Sequence, residues 1–319
     1  MGMMKIGAHG DVLIPCCLNA VLRVLAHREE LARKFRFLLP DEHVLRRVND
    51  KWELYKLAAE LQIPTPKTYC PEDERDAYRV AEGIDYPAIV KLRHDENLYA
   101  GPGGRYAKVQ SPGELVEAWR RFHELQGRPI VQEYIRGVSY GYECLHGPDG
   151  RLLAELAHQR LVEYPASGGP SAVCESVREP RLLEMGRKLM SALGWRGVAM
   201  AQFVRCGRGG EFFLLEVNPR FWGSLPLAEA AGVNFPYLLW LAAIGETVEA
   251  HDGRAGVRTR LLPMYLLGMW GCFRGRPWAI GDWGPKLRFL FDPRVREGMF
   301  CLDDLRPAFR YFIERMGGA

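Results

Sequence analysis

The sequence predicts an α+β fold: a mixed middle region, largely antiparallel, preceded by a short α/β segment and followed by a mostly helical tail. Three observations carry this. Short apolar runs alternate with amphipathic stretches from about residue 49 to 245. Turn signals such as Pro148-Asp-Gly150 and Cys206-Gly-Arg-Gly-Gly210 join neighbouring apolar runs directly, which is how antiparallel strands connect. The first forty residues read as strand, helix and strand, half of an α/β unit.

Within that first segment the extended pieces are Asp11–Pro15 and Phe35–Leu39, with a helix over Leu18–Ala26 between them. Asn49-Asp50 is placed to cap the next helix. Trp52, Leu54, Leu57, Ala58 and Leu61 form its apolar stripe, and Pro64 stops it. Pro66–Tyr69 is extended and Asp73–Glu82 helical. Pro87–Lys91 is a strand ending in lysine, and Tyr106–Val109 follows the glycine-rich Gly101-Pro-Gly-Gly104. Ser111 caps a helix running to Leu125. Strands are expected at Pro129–Tyr134, Tyr140–Leu145, Leu152–Gln159, Gly197–Arg205 and Glu211–Val217. Helices are expected at Pro180–Leu193, Leu225–Ala231 and Phe235–Ile244, and Ala166–Ser171 reads as a small-residue loop.

The chain has 319 residues, 48% apolar and 26% charged, which is a globular composition. Its 43 Lys+Arg against 39 Asp+Glu leave a net charge of +4 with no long basic run, so the sequence does not read as a nucleic-acid binder. The eight cysteines show no CxxC spacing and no secretory leader precedes them, which reads as reduced thiols in a cytoplasmic protein. The longest apolar stretch near the C-terminus, residues 261–272, is too short for a membrane span, which needs about 20 residues.

Several residues carry chemistry. Glu216 and Asn218 sit two apart at the end of an apolar strand, so they share one face. They are either a strand-end polar pair or a hard-oxygen site suited to Mg²⁺, with Gln202 aimed at the same face from the preceding strand. Lys91 followed by the glycine-rich loop and Arg105 offers cationic and backbone donors for phosphate oxygens; the bland alternative is a hairpin turn. Gln132-Glu133-Tyr134-Ile135 is either an ordinary strand or backbone that passes an adenine edge. Arg160 is suited to a substrate carboxylate. His158 is either a base for an incoming amine or a hydrogen-bonded strand histidine. The tail's Trp270, Trp278 and Trp283 among arginines suit core packing, an apolar substrate or a membrane surface.

Taken in order, Asn49-Asp-Lys51, Ile63-Pro-Thr-Pro66, Tyr86–Lys91, Gly101–Gly104, Gln132–Ile135 and Glu216-Val-Asn-Pro-Arg220 resemble the motifs of ATP-grasp enzymes, over about residues 49–245. The resemblance implies an ATP-grasp fold, two α+β subdomains clasping ATP. Residues 1–48 would be a truncated pre-ATP-grasp piece, 49–245 the ATP-grasp domain with its hinge near 132–137, and 246–319 a C-terminal extension. It implies ATP and Mg²⁺, two ions, with Mn²⁺ as a substitute. Lys51 and Lys91 would hold the phosphates with Gly101, Gly103, Gly104 and Arg105 close by, and Gln132 to Ile135 would meet the adenine. Gln202, Glu216 and Asn218 would be metal ligands, and Arg220 would face the transferred phosphoryl group. Glutamine at 202 is similar to the carbamoyl-phosphate synthetase type. Where many members place an acid on the ribose, this chain has Ser139-Tyr140.

The activity implied is a carboxylate–amine ligase working through an acyl phosphate on small-molecule acid and amine substrates. Its alternatives are a phosphotransferase that releases a phosphorylated product and a non-catalytic nucleotide-binding subunit. A homodimer, or a partner chain completing the N-terminal part, is the expected assembly.

Overall fold

A computed structural model describes residues 10–94, 104–163, 169, 171–207, 210–275, 280–300 and 303–316. In chain order, β1 (Asp11–Val12), α1 (Leu18–Ala26), α2 (Arg28–Ala32) and β2 (Phe35–Arg36) form a small parallel unit around Val21, Val24 and Leu45. α3 (Glu42–Asn49) leads straight into α4 (Lys51–Glu60). Asp50 separates the two and caps α4, accepting hydrogen bonds from the Trp52 and Glu53 N–H groups, as its side chain is suited to do.

β3 (Thr68–Tyr69), α5 (Glu74–Gly83), β4 (Ala88–Lys91), β5 (Tyr106–Val109), α6 (Pro112–Gln126) and β6 (Ile130–Glu133) follow. Their strands make one antiparallel sheet in the order β3-β6-β4-β5. α5 and α6 cover it, burying Ala77, Val90, Leu115, Trp119 and Phe122 in a core of its own. Asp73 and Ser111 cap these helices through the Asp76 and Glu114 N–H groups.

The larger sheet is built from β7 (Gly137–His146), β8 (Leu152–Glu163), β9 (Ser171–Val177), β10 (Gly197–Cys206) and β11 (Phe212–Asn218), with α7 (Pro180–Ala192) between β9 and β10. After α8 (Leu225–Ala230) and α9 (Phe235–Ile244) come β12 (His251–Asp252), β13 (Arg258–Arg260), α10 (Leu262–Gly275), α11 (Ile280–Phe291), β14 (Val295–Glu297) and α12 (Arg306–Met316). The strand order is β11-β10-β7-β8-β9-β13-β14, with β12 beside β8. One face, with Tyr140, Tyr142, Ala199, Ala201 and Phe203, packs on α4 and α7. Part of the other face, with Met200 and Leu156, packs on α8 and α9. The rest of that second face carries the polar residues taken up below.

Three features depart from the expectations. α3 forms over a polar stretch because Val44, Leu45 and Val48 face inward. Ser171, expected in a loop, opens β9, whose Ala172, Val173 and Cys174 are buried in the sheet. The tail is helical but also returns three strands to the sheet: β12 pairs parallel with β8, β13 antiparallel with β9 and β14 parallel with β13. No helix among the described residues is long and apolar enough to cross a membrane.

Candidate functional site

Register brings the polar face together. Glu216 pairs with Gln202, Gln202 with Gly141, and Gly141 with His158, so the four lie on one rung across β11, β10, β7 and β8. Directly opposed residues present their side chains to the same face, and residues two apart on each strand join them. Asn218, Ser139 and Arg160 therefore share this face. Between the pairs Gln202–Glu216 and Phe203–Leu214, β11 has one extra residue, Leu215, a β-bulge that takes Leu215 out of regular pairing.

The Asn218 amide donates to Glu216 Oε1 at 3.0 Å, and Arg220 Nη2 donates to Asn218 Oδ1 at 3.2 Å. Arg160 reaches across β7, where Ser139 and Gly141 present almost no side chain, and donates to Gln202 Oε1 at 2.9 Å. It also donates to Glu163 at 3.3 Å and to the Gly169 carbonyl at 2.9 Å. One carboxylate and two amide oxygens thus lie between two arginines. Among the described residues there is no cluster of three or more His, Cys, Asp or Glu able to hold a metal alone. One carboxylate with two amides instead fits Mg²⁺, a cation usually held by few protein oxygens together with nucleotide phosphates.

The smaller sheet supplies the cationic side. Lys91, at the end of β4, donates to Tyr55 Oη and to Gln132 Oε1, both at 2.9 Å. Gln132 in turn donates to Thr68 Oγ1 at 2.7 Å, and Tyr55 donates to the Leu215 carbonyl at 2.7 Å. The bulge is what presents that carbonyl, so α4 ties Lys91 to the strand that carries Glu216. Lys51 is buried in the first turn of α4 and its backbone N–H donates to the Arg93 carbonyl. Arg93 donates to both oxygens of Asp50, at 2.7 and 2.5 Å, and His94 Nε2 lies 3.4 Å from the same carboxylate. Burial pulls the Asp50 pKa up. The Arg93 hydrogen bond and charge, the Glu53 N–H and His94 outweigh it and hold the carboxyl below its ordinary value.

The expected hinge needs one correction. The Glu133 N–H already donates to the Lys67 carbonyl at 2.9 Å because the β3–β6 ladder continues past Thr68, so that group is not open to an adenine edge. The Glu133 side chain accepts from the Lys67 N–H at 2.7 Å. Tyr134 and Ile135 are half-buried, and Lys108 Nζ sits 3.7 Å from the Tyr134 ring centroid. Gly104 has φ +67° and the Arg105 carbonyl accepts from the Leu92 N–H, while Gly101 and Gly103 lie outside the described residues.

His158 does not face an open cleft. It is fully buried, with Nδ1 2.9 Å from Glu143 Oε1 and Nε2 3.4 Å from Ser224 Oγ. Both ring nitrogens meet side chains of this chain, which removes the open approach that a base for an incoming amine needs. Sequence reasoning missed Tyr55, Arg93 and Glu143; it offered residues 221–224 as a pocket wall or core, whereas Ser224 is buried against Glu143. The one local signal was Gly141, an isolated glycine inside a strand, which marks a close approach.

Comparison with known proteins bears on the fold. Residues 126–262 match the family model described as ATP-grasp in the biosynthetic pathway with Ter operon. The D-alanine–D-alanine ligase of Stutzerimonas stutzeri (strain A1501) is 28% identical over 213 residues, 63% of this chain and 66% of that ligase. The chain thus spans just under two thirds of that relative's length. The biotin carboxylase of Campylobacter jejuni, solved as a β-γ-ATP complex, superposes with a TM-score of 0.63 at 16% identity, covering 75% of this chain and 56% of that one. The biotin carboxylase domain dimer of the Hydrogenobacter thermophilus 2-oxoglutarate carboxylase, solved with MgADP, ADP and bicarbonate, gives 0.60 at 19% identity over 72% and 53%. Family model, relatives and solved structures point the same way: residues 126–262 are similar to ATP-grasp proteins, and the chain has the fold of the solved ones.

Proposed function

We propose that this chain is an ATP-dependent ligase that activates a carboxylate as an acyl phosphate for attack by an amine. The observation that carries the reading is the meeting of two sets. Lys91, held by Tyr55 and Gln132, stands on one side, and Gln202, Glu216, Asn218, Arg220 and Arg160 share one face on the other.

In this reading a substrate carboxylate oxygen forms a bond to the γ-phosphorus of ATP as the bond to the β-γ bridging oxygen breaks, releasing ADP. The amine then forms a bond to the acyl carbon, the acyl carbon–oxygen bond breaks, phosphate leaves, and the amine proton passes to phosphate or water. Charge spreads over the transferring group, so the protein's task is positioning and cationic stabilisation. Lys51 and Lys91 hold phosphate oxygens, and backbone at 134–135 with the Glu133 carbonyl meets the adenine. Ser139, on the open face, is the group nearest in register for the ribose. Arg220 faces the transferring phosphoryl group and Arg160 the substrate carboxylate. Glu216, Asn218 and Gln202 hold Mg²⁺, which neutralises phosphate charge when bound. The D-alanine–D-alanine ligase relative is consistent with amino-acid-like substrates, and the acid and amine are to be found by screening.

Thermal unfolding with and without MgATP tests the nucleotide site, and ADP release on pools of acids and amines tests the chemistry. Ligand at about 100 times its dissociation constant adds about 2.7 kcal/mol. Wild type should show a clear rise and Glu216→Ala should lose it along with turnover. A Glu216→Ala variant with normal magnesium-dependent binding and turnover would overturn the metal assignment. ADP formed with an acid alone, together with a stable phosphorylated product, would point to a phosphotransferase.

A further inference from the structure

Glu143, His158 and Ser224 lie behind the metal-ligand candidates, not among them. Glu143 and His158 are 0% exposed and Ser224 is 7% exposed. Ser224 Oγ donates to Glu143 Oε1 at 2.9 Å, the same oxygen that lies 2.9 Å from His158 Nδ1. Glu143 stands on the rung of Met200 and Asn218, and His158 on the rung of Gln202 and Glu216. Room for the imidazole comes from Gly141: a Cβ there would fall 2.2 Å from His158 Cε1.

A carboxylate, an imidazole and a hydroxyl buried together are an expensive way to fill space. Glu143 Oε2 has no hydrogen-bond partner among the described residues. Well-packed apolar side chains of similar volume are commonly as stable or more so. Nor is this a nucleophilic triad, since the serine hydroxyl donates to the carboxylate itself and all three groups are closed to substrate.

What the cluster does hold is a turn. Residues 219–223 run from Asn218, fixed in the β11 ladder, to Ser224, fixed by Glu143 and His158. Arg220 lies within that turn and reaches back to Asn218. We propose that Glu143, His158 and Ser224 are positioning residues that pin the 219–224 turn, and so set Asn218 and Arg220 against Gln202 and Arg160. This rests on the nucleotide reading above.

The test is thermal unfolding of the full chain with ATP while magnesium is titrated. It compares wild type, Ser224→Ala, Glu143→Gln and Ser224→Thr, the last keeping the hydroxyl. The magnesium concentration giving half of the ATP-dependent shift should rise fivefold or more in Ser224→Ala and Glu143→Gln, and Ser224→Thr should return close to wild type. A merely structural cluster would lower the unliganded melting temperature and leave the magnesium midpoint where it was; midpoints within twofold of wild type overturn the proposal. A wild type with no magnesium-dependent shift overturns the nucleotide reading and this inference with it, an outcome distinct from the first.

Discussion

The Tyr55 hydroxyl donates to the Leu215 carbonyl at 2.7 Å, across 160 positions of sequence, while it accepts from Lys91. One phenol therefore joins the smaller sheet to the residue before Glu216. Removing it in Tyr55→Phe takes away a donor to a backbone carbonyl and an acceptor for an ammonium group. The loss should be about 1–2 kcal/mol, read as a lower denaturant midpoint with an unchanged slope. In the nucleotide reading the variant should also lose part of the MgATP-dependent rise in melting temperature.

Asp50 predicts an acid limb to stability. The native carboxyl is held below its ordinary value of 3.8, so the unfolded chain binds that proton more readily. Its contribution is complete above pH 3.8 and fades as the pH falls through the native value. Asp50→Asn keeps an oxygen to cap α4 but loses the Arg93 pair. It should cost about 1.5–3 kcal/mol at neutral pH, and its stability should fall less steeply than wild type at acid pH. Parallel pH–stability curves for the two proteins would contradict this.

Gly141→Ala should cost about 1–3 kcal/mol, because the new methyl group meets the His158 ring instead of open space. The cost should shrink in a His158→Ala background. A double-mutant cycle with no coupling between the two would show that the ring does not occupy the space above Gly141.

Thiol chemistry should divide along burial. Cys16, Cys17 and Cys206 are exposed, while Cys144 and Cys174 are buried, and desolvation pushes the Cys174 thiol up to about 12. Peptide mapping after brief alkylation at neutral pH should find label on the first three, and on Cys144 and Cys174 only after denaturation.

Much of the framework was legible because it is local. The cap at Asn49-Asp50, the Ser111 cap, the strand ending in Lys91 and the shared face of Glu216 and Asn218 all follow from residue type and period. What could not be read depends on residues far apart in sequence. Nothing near Tyr55 marks its hydroxyl for a carbonyl on β11, and the bulge that presents this carbonyl leaves no trace in the run Phe212–Asn218. Glu143 sits between Tyr142 and Cys144 in an apolar strand, where nothing local marks it; Ser224 and His158, far off in sequence, enclose it. β9 was hidden by the small residues before it, since its pairing comes from β8 on one side and from the distant β13 on the other.

The strands of the tail bear on any shortened version of this protein. The family match stops at residue 262, just past β13, whereas β14 and the helices over Val162 and Val173 come later in the chain. A piece cut at that homology limit would keep β13 on β9 but bare the outer backbone of β13 and a greasy floor beside it. Unpaired strand edges of that kind recruit other chains. Such a piece should precipitate or self-associate, and its failure would say nothing about the chemistry of the face that carries Glu216.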